Sequence, residues 1–544
     1  MTHGNTHADI QARTRFGFRR HADQDRAGAG VAMHPVVVVG AGPVGLSLAI
    51  DLAQRGQPVV LLDDADRIGE GSRAICFSKR SLEFWDRLGV GQRMVDKGVV
   101  WQVGKIFHGP SLLYQFDLLP EQGHKRPAFI NLQQFHAEAY LVDRATELTD
   151  ISLRWSNKVV GLEQRNDHVI LSIDTPEGVY RIGASYVVAC DGARSSLRQM
   201  VGADFAGQVF EDQFLIADVK MTAEFPTERW FWFDPPFHAG RSALLHKQPD
   251  DVWRIDLQLD RNADPVAEKR PENVRPRIAR MLGHDQFEFE WISLYKFRCQ
   301  RMARFLHGRV IFAGDAAHQV SPFGARGANS GLEDAENLGW KLDRVLRRIS
   351  PETLLESYHV ERSQAADENI RESTRSTDFM APHSPYEARL RKAVLSLAKE
   401  TEFGKRMVNG GRLSVPSTYE TPLSTSDQEV WRGGPRPGAS MPDAPMTGPR
   451  GETEYLTDAF RKGGRRFTLI EFANGAAVDP PDDIDVIRIG AQEYADSAGL
   501  AATRYAAQPG TVYLLRPDGY VAARFHRPTR GAIDAALKRA SGNS

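Results

Sequence analysis

Val36-Val37-Val38-Val39-Gly40-Ala41-Gly42-Pro43-Val44-Gly45-Leu46-Ser47-Leu48-Ala49-Ile50 decides the fold of this 544-residue chain. Four valines read as a buried strand, and Gly40, Gly42 and Gly45 follow the Gly-x-Gly-x-x-Gly spacing that joins such a strand to a helix. The first glycine permits the tight turn. The second lets the backbone approach a pyrophosphate, and the third lets helix and strand pack closely. Pro43 lies in the same turn and is grouped with the glycines as a cofactor contact. Val44, Leu46, Leu48, Ala49, Ile50, Leu52 and Ala53 continue at helical spacing, and Pro58 to Asp63 reads as a second, parallel strand. Asp63, at the end of that strand, is placed to accept hydrogen bonds from a ribose diol. An adenine dinucleotide on a Rossmann-like sheet is implied, without a choice between NAD and FAD.

Composition narrows the class. The chain is 41% hydrophobic and 26% charged, and 69 Lys+Arg against 70 Asp+Glu leave a formal charge of −1. That balance lacks the basic excess of a nucleic-acid or anionic-membrane binder. No apolar run reaches the roughly 18 residues of a membrane span. Cys76, Cys190 and Cys299 are far apart without a C-x-x-C pair, which argues against a disulfide framework, a metal site or a redox dithiol. A cytoplasmic protein without metal, with small molecules as partners, is the expectation. Residues 1–34 contain Arg19-Arg20 but no apolar segment and read as a disordered tail.

The organisation expected from the chain is α/β and α+β. Residues 35–204 and 300–410 form a discontinuous dinucleotide-binding domain with a helical extension, including one long amphipathic helix over 351–397. Residues 205–299, rich in tryptophan, form a mostly antiparallel substrate domain. A Pro, Gly and Ser-rich linker covers 411–430, and a compact C-terminal domain covers 431–544.

Two later segments separate the alternatives. Tyr186-Val187-Val188-Ala189-Cys190-Asp191-Gly192 runs a strand into Asp-Gly, and Val310-Ile311-Phe312-Ala313-Gly314-Asp315-Ala316-Ala317-His318 delivers a carboxylate to a glycine-rich loop. Together with the first glycine motif, and in the same order, they resemble the fingerprints of the single-component flavoprotein aromatic hydroxylases typified by p-hydroxybenzoate hydroxylase. The resemblance implies non-covalent FAD, with Gly314 and Asp315 at its ribityl chain and Asp191 serving both FAD and NAD(P)H. It further implies Arg73 at the cofactor phosphates and Gln134 beside the ribityl chain or pyrophosphate. Pro322 is implied near the flavin C4a position, and Gly327, Ala328 and Asn329 around the isoalloxazine ring. Ser321 stands where many members have a proline. His318 is expected to pack and not to transfer protons. No catalytic base is identified.

The segment Arg516-Pro517-Asp518-Gly519-Tyr520-Val521-Ala522-Ala523-Arg524 resembles the thioredoxin-like C-terminal domain of the phenol hydroxylase and 3-(3-hydroxyphenyl)propionate hydroxylase branch. It lacks cysteine, so a structural or subunit-contact role is implied, with a homodimer possible. The activity implied is hydroxylation of a phenol or aminoarene by NAD(P)H and O2 through a flavin C4a-hydroperoxide. Polyketide or other tailoring oxygenation and a non-catalytic flavin-binding scaffold stand as alternatives. Trp230, Phe231, Trp232, Phe233 and Phe237, with His238 and His246, read either as core or as a pocket for a planar ring. Strand alternation puts only every second one on a given face.

Overall fold

The computed structural model describes residues 14–25, 30–69, 74–382, 384–408, 413–463, 465–473, 479–490 and 493–543. The valine strand is β1 (Ala32–Val39), followed by α1 (Pro43–Gln54) and β2 (Val59–Leu62). The chain continues through β3 (Cys76–Ser78), α2 (Lys79–Leu88), β4 (Val103–His108), β5 (Ser111–Asp117), α3 (Gln134–Thr146) and β6 (Gly178–Ala189). Next come β7 (Phe205–Lys220), β8 (Arg229–Phe233), β9 (Ser242–Lys247), β10 (Val252–Gln258) and β11 (Glu288–Met302). β12 (Val310–Phe312), α4 (Gly327–Leu346), α5 (Leu354–Met380) and α6 (Pro385–Glu400) complete this part.

β12, β6, β1 and β2 are parallel neighbours in that order, extended beyond β2 by the strand Ile151–Arg154. The last four residues of β1 and all of β2 are buried, as expected for strands covered on both faces. α1 packs against α3 and α4. Residues 14–25, expected to be a loose tail, instead pack onto this sheet. Phe16 stacks on Trp155 with ring centroids 4.6 Å apart, and Asp23 accepts from Arg154 at 2.7 Å. Charged residues here find partners more than a hundred positions away, which no local pattern announces.

The second sheet runs His318–Gln319, β11, β7, β10, β9, β8, β4, β5, and only the β8–β4 pair is parallel. It is mostly antiparallel, as expected, but its membership is wider than 205–299. The hairpin β4–β5, expected in the dinucleotide-binding segment, joins it through β8. The alternation is as the pattern required: Trp232, Trp253 and Leu245 pack toward Val274 and Ile278 of the helix Pro271–Leu282. Phe231, Phe233, Leu244 and Phe214 pack on the other face with Phe323 and Met380.

The single helix expected over 351–397 is two. Pro385 begins α6 at a position that needs no N–H donor, and Ser384 caps it through a reciprocal box with Glu387. The expected linker is packed where described: Tyr419 and Leu423 are buried, and Tyr419 stacks on Tyr520 at 4.5 Å. In the C-terminal domain β13 (Thr468–Phe472) pairs parallel with β14 (Asp485–Ile489) and antiparallel with β15 (Val512–Leu515), which pairs antiparallel with β16 (Val521–Phe525). A mixed sheet of this kind suits the thioredoxin-like expectation. Ile470, Tyr513 and Leu515 face this domain's own core with Leu456 and Phe460, whereas Leu469, Val512 and Leu514 join the core of the first sheet. The turn Arg516–Gly519 reaches α4 and α5. Among the described residues no helix is long and apolar enough to cross a membrane.

Candidate active site

Leu62, Val39, Ala189 and Phe312 lie side by side on adjacent parallel strands. The residue after each therefore emerges on one edge: Asp63, Gly40, Cys190 and Ala313, with Asp191 and Gly314-Asp315 immediately beyond. Ligands of open α/β sheets bind at this carboxyl edge. The sequence-predicted segments thus meet along one line.

Gly40 has φ +106°, and a Cβ there would lie 2.3 Å from the Cys190 carbonyl oxygen. A Cβ on Gly45 would lie 1.9 Å from the Gly40 oxygen, so strand and helix touch backbone to backbone. Gly42 is different: nothing lies within 4 Å of the position a Cβ would take. Gly42 is the N-cap of α1, and no side chain caps the helix, leaving its first-turn donors and positive dipole end facing that space. Pro43 occupies the first helical position.

Asp63 Oδ2 accepts from the Ala41 N–H at 2.6 Å and Oδ1 from the Ala65 N–H at 2.9 Å. Burial pushes its carboxyl up to about 6 against these two bonds. Asp191 Oδ2 accepts from the Leu197 N–H at 3.2 Å, while Oδ1 is buried without a hydrogen-bond partner among the described residues. Burial raises this carboxyl too. Arg73 lies outside the described residues. Gln134, at the start of α3, accepts from the Ala74 N–H at 3.1 Å and donates to Glu138 at 2.7 Å. Glu138 in turn accepts from the Gly69 N–H at 2.8 Å, so α3 grips both ends of the segment that carries Arg73.

Asp315 is exposed at the edge, on a turn held from beneath. Asp334 of α4 accepts from the Gly314 N–H at 2.8 Å, pairs with His318 Nε2 at 2.7 Å and receives Arg362 Nε of α5 at 2.6 Å. Burial works against ionisation of Asp334, but His318 and Arg362 outweigh it and hold the carboxyl below its usual range. His318 is thereby buried and tied to α4. Ser321 donates to α5 at Ser373 O and accepts from Thr377 Oγ1 at 2.9 Å, tying down the loop where a proline is common. Pro322 is exposed beside buried Phe323, and Ala325 adopts φ +54°, a region costly for a residue with a Cβ. Gly327 and Ala328, half-buried, open α4, whose first turn also lacks a side-chain cap.

The Asn329 side chain is fully engaged within the protein. Its oxygen accepts from the Ser78 N–H and Ser81 hydroxyl, and its nitrogen donates to the Cys76 and Ala325 carbonyls. The amide is spent fastening β3 to α4, which leaves its backbone for a ring. Glu138, Asp334 and Arg362 went unassigned in the sequence. Asp334 had a faint signal as an acid one helical turn beyond Ser330 and inside a buried face; Arg362 had none.

Two uncapped helices aimed at one sheet edge, a glycine turn with open space at Gly42 and an unpartnered Asp191 oxygen fit a phosphate-bearing dinucleotide, and the second sheet packs against the loop before α4 through Phe214 and Phe323. That layout defines a dinucleotide-binding α/β protein. Residues 33–373 match the FAD binding domain family, and residues 434–544 match the aromatic-ring hydroxylase C-terminal family. The chain therefore belongs to the single-component aromatic-ring hydroxylases and is an FAD-dependent monooxygenase. Among its relatives is a 12-dehydrotetracycline 5-monooxygenase/anhydrotetracycline 6-monooxygenase of Streptomyces rimosus, 29% identical, with 90% of this chain and 94% of the relative covered. A probable NADH-specific resorcinol 4-hydroxylase of Rhodococcus jostii is 28% identical over 91% of this chain and 92% of the relative. The solved aklavinone-11 hydroxylase with FAD and aklavinone shares the fold, with TM-score 0.76 and 21% identity over 94% of this chain and 99% of that one.

Proposed function

We propose that this chain hydroxylates an aromatic ring bearing a hydroxyl or amino substituent, using NAD(P)H and O2. The observation that carries the reading is the convergence of Gly42, Asp191, Asp315 and the start of α4 on one edge, opposite the apolar face of the second sheet. Bound there, FAD supplies the redox chemistry that activates dioxygen. The uncapped start of α1 at Gly42 and Pro43 meets the pyrophosphate, Asp63 a ribose, and Asp315 the ribityl chain. Asp191 offers its unpartnered oxygen to the cofactor, and Arg73 and Gln134 act at the phosphate side. Pro322, Gly327, Ala328 and the Asn329 backbone border the ring, where the N–H groups of α4 stabilise negative charge. Phe231, Leu244 and Ile216, each at most 8% exposed, keep water from the reacting side.

Oxygenation of a polycyclic, polyketide-like aromatic is a second reading, supported by the tetracycline and aklavinone activities in the names of the relatives. Both readings are tested by screening phenols, aminoarenes and hydroxyanthraquinones for stimulated NADH or NADPH consumption with product identification. A hydroxylated product in proportion to reductant is expected. Flavin-bound protein that no aromatic stimulates would overturn both.

A further inference from the structure

One cross-strand row on the loop-facing side of the second sheet reads Tyr114, Ile106, Phe231, Leu244, Asp256, Ile216, Ser293, from β5 to β11. The rows flanking it are where the first domain closes on the sheet. On one side Phe323 of the cofactor loop packs against Phe214, ring centroids 4.9 Å apart. On the other, Cys76 Sγ of β3 lies 3.9 Å from His246 Nδ1. Asp256 sits between these two contacts, the one carboxylate in an otherwise apolar stretch.

Its charged neighbours Arg254 and Asp218 already match each other. Arg254 grips Asp218 through two bonds of 2.8 Å, and Gln248 donates to the same carboxylate at 3.0 Å. Asp256 Oδ1 is buried with no hydrogen-bond partner among the described residues, and so is Nη1 of Arg229, two strands away on β8. Leaving a buried charged group unmatched costs stability, and proteins accept such a cost chiefly at functional sites. Along the row, apolar Ile106, Phe231 and Leu244 lie between two polar groups with unmatched buried atoms, the Tyr114 hydroxyl and Asp256, and Arg229 flanks Phe231 on the same strand.

We propose that Asp256 and Arg229 form the polar end of the substrate pocket, Asp256 accepting a hydrogen bond from a ring hydroxyl and Arg229 donating to a carbonyl or carboxylate oxygen of the same molecule. The substrate class is a hydroxyarene that also carries such an oxygen. Accepting the hydroxyl hydrogen bond pushes electron density into the ring, which favours electrophilic oxygen transfer. Burial, the largest influence on Asp256, pushes its carboxyl up to about 6 despite Arg254 and Arg229, in keeping with a group awaiting a partner. This inference rests on the function proposed above.

The test uses FAD-loaded protein and two probe pairs, resorcinol against 1,3-dimethoxybenzene and 1,8-dihydroxyanthraquinone against 1,8-dimethoxyanthraquinone. Binding is read from perturbation of the flavin spectrum. The hydroxyl member of at least one pair should bind about 10-fold tighter or more, because a site built for a donor rejects the analogue lacking it. Asp256→Leu should bring that ratio to about 1, with Asp256→Asn between, and Asp256→Leu should melt no lower than the parent. Arg229→Leu should weaken the anthraquinone and leave the resorcinol ratio alone. No preference within either pair, or a preference that survives in both Asp256 variants, overturns the assignment while leaving FAD content intact. Protein that takes up no FAD would overturn the function itself, and this inference with it.

Discussion

Arg516 of the C-terminal domain meets Glu361 of α5 through both terminal nitrogens, at 2.7 and 2.9 Å, and neither side chain is exposed. Glu361 also receives Lys341 at 2.8 Å, and Trp340 donates to Asp518 at 3.0 Å. The next residue, Arg362, reaches Asp334 beneath the Gly314 turn. Adjacent residues of one helix thus serve the domain contact and the cofactor loop.

Arg516→Met should destabilise the protein by about 3–5 kcal/mol, the usual result of stripping one partner from a buried pair. Arg516→Lys keeps the charge but not the fork and should cost less. Chemical denaturation of the two variants decides it; equal losses would mean that a charge without the fork contributes nothing here.

Acid should weaken the same network. Burial alone would raise the Glu361 carboxyl, but Arg516, Lys341 and the bond from Asn337 hold it below its usual range, and Asp518 and Asp334 are lowered likewise. A lowered carboxyl contributes fully above its unfolded value, near 4 for Asp and Glu, and loses that contribution as pH falls toward its folded value. Melting temperature should therefore hold above about pH 5 and drop steeply below about pH 4. Glu361→Gln should be less stable at neutral pH with a shallower acid limb. A limb of unchanged slope would remove Glu361 from the account.

Gly42→Ala and Gly45→Ala should part company. The first has open space and an ordinary backbone, so the fold should keep its stability while FAD retention falls. The second drives a methyl into the Gly40 carbonyl and should lose both. Thermal melts with flavin fluorescence of the released cofactor distinguish them, and FAD retention by Gly42→Ala would contradict the placement of the pyrophosphate.

Asp334→Asn removes the charge that holds His318, the Gly314 N–H and Arg362. At about 1.5–3 kcal/mol for a charge-assisted bond, FAD affinity should weaken about 10- to 100-fold. If Asp315 meets the ribityl chain as proposed, Asp315→Ala should also weaken FAD, but without the drop in melting temperature expected for Asp334→Asn. Titration of apoprotein with FAD measures both.

The parallel core was legible because β1, β2, β6 and β12 carry apolar runs at their carboxyl ends, with glycine or Asp-Gly turns after β1, β6 and β12 and an acidic pair after β2. The same edge made Gly40, Asp63, Asp191 and Asp315 readable as candidate cofactor residues, since each closely follows the end of a strand. Long-range choices were not. Nothing in Val103–Asp117 says that this hairpin pairs with Arg229–Phe233. The alternation Trp253, Arg254, Ile255, Asp256, Leu257 reads as a strand with one wet face, yet that face lies under the cofactor domain. Asn329 shows the same limit at one residue, because a side chain beside a ring site can be claimed by a neighbouring strand.

The seating of the Arg516–Gly519 turn constrains exchange between relatives. A chimera that imports a foreign C-terminal domain inherits whatever charges its turn carries, and sets them against Glu361 and Lys341 of the host. Grafts should therefore succeed when these four or five positions travel as a set, and misfold or shed the guest domain when they are split.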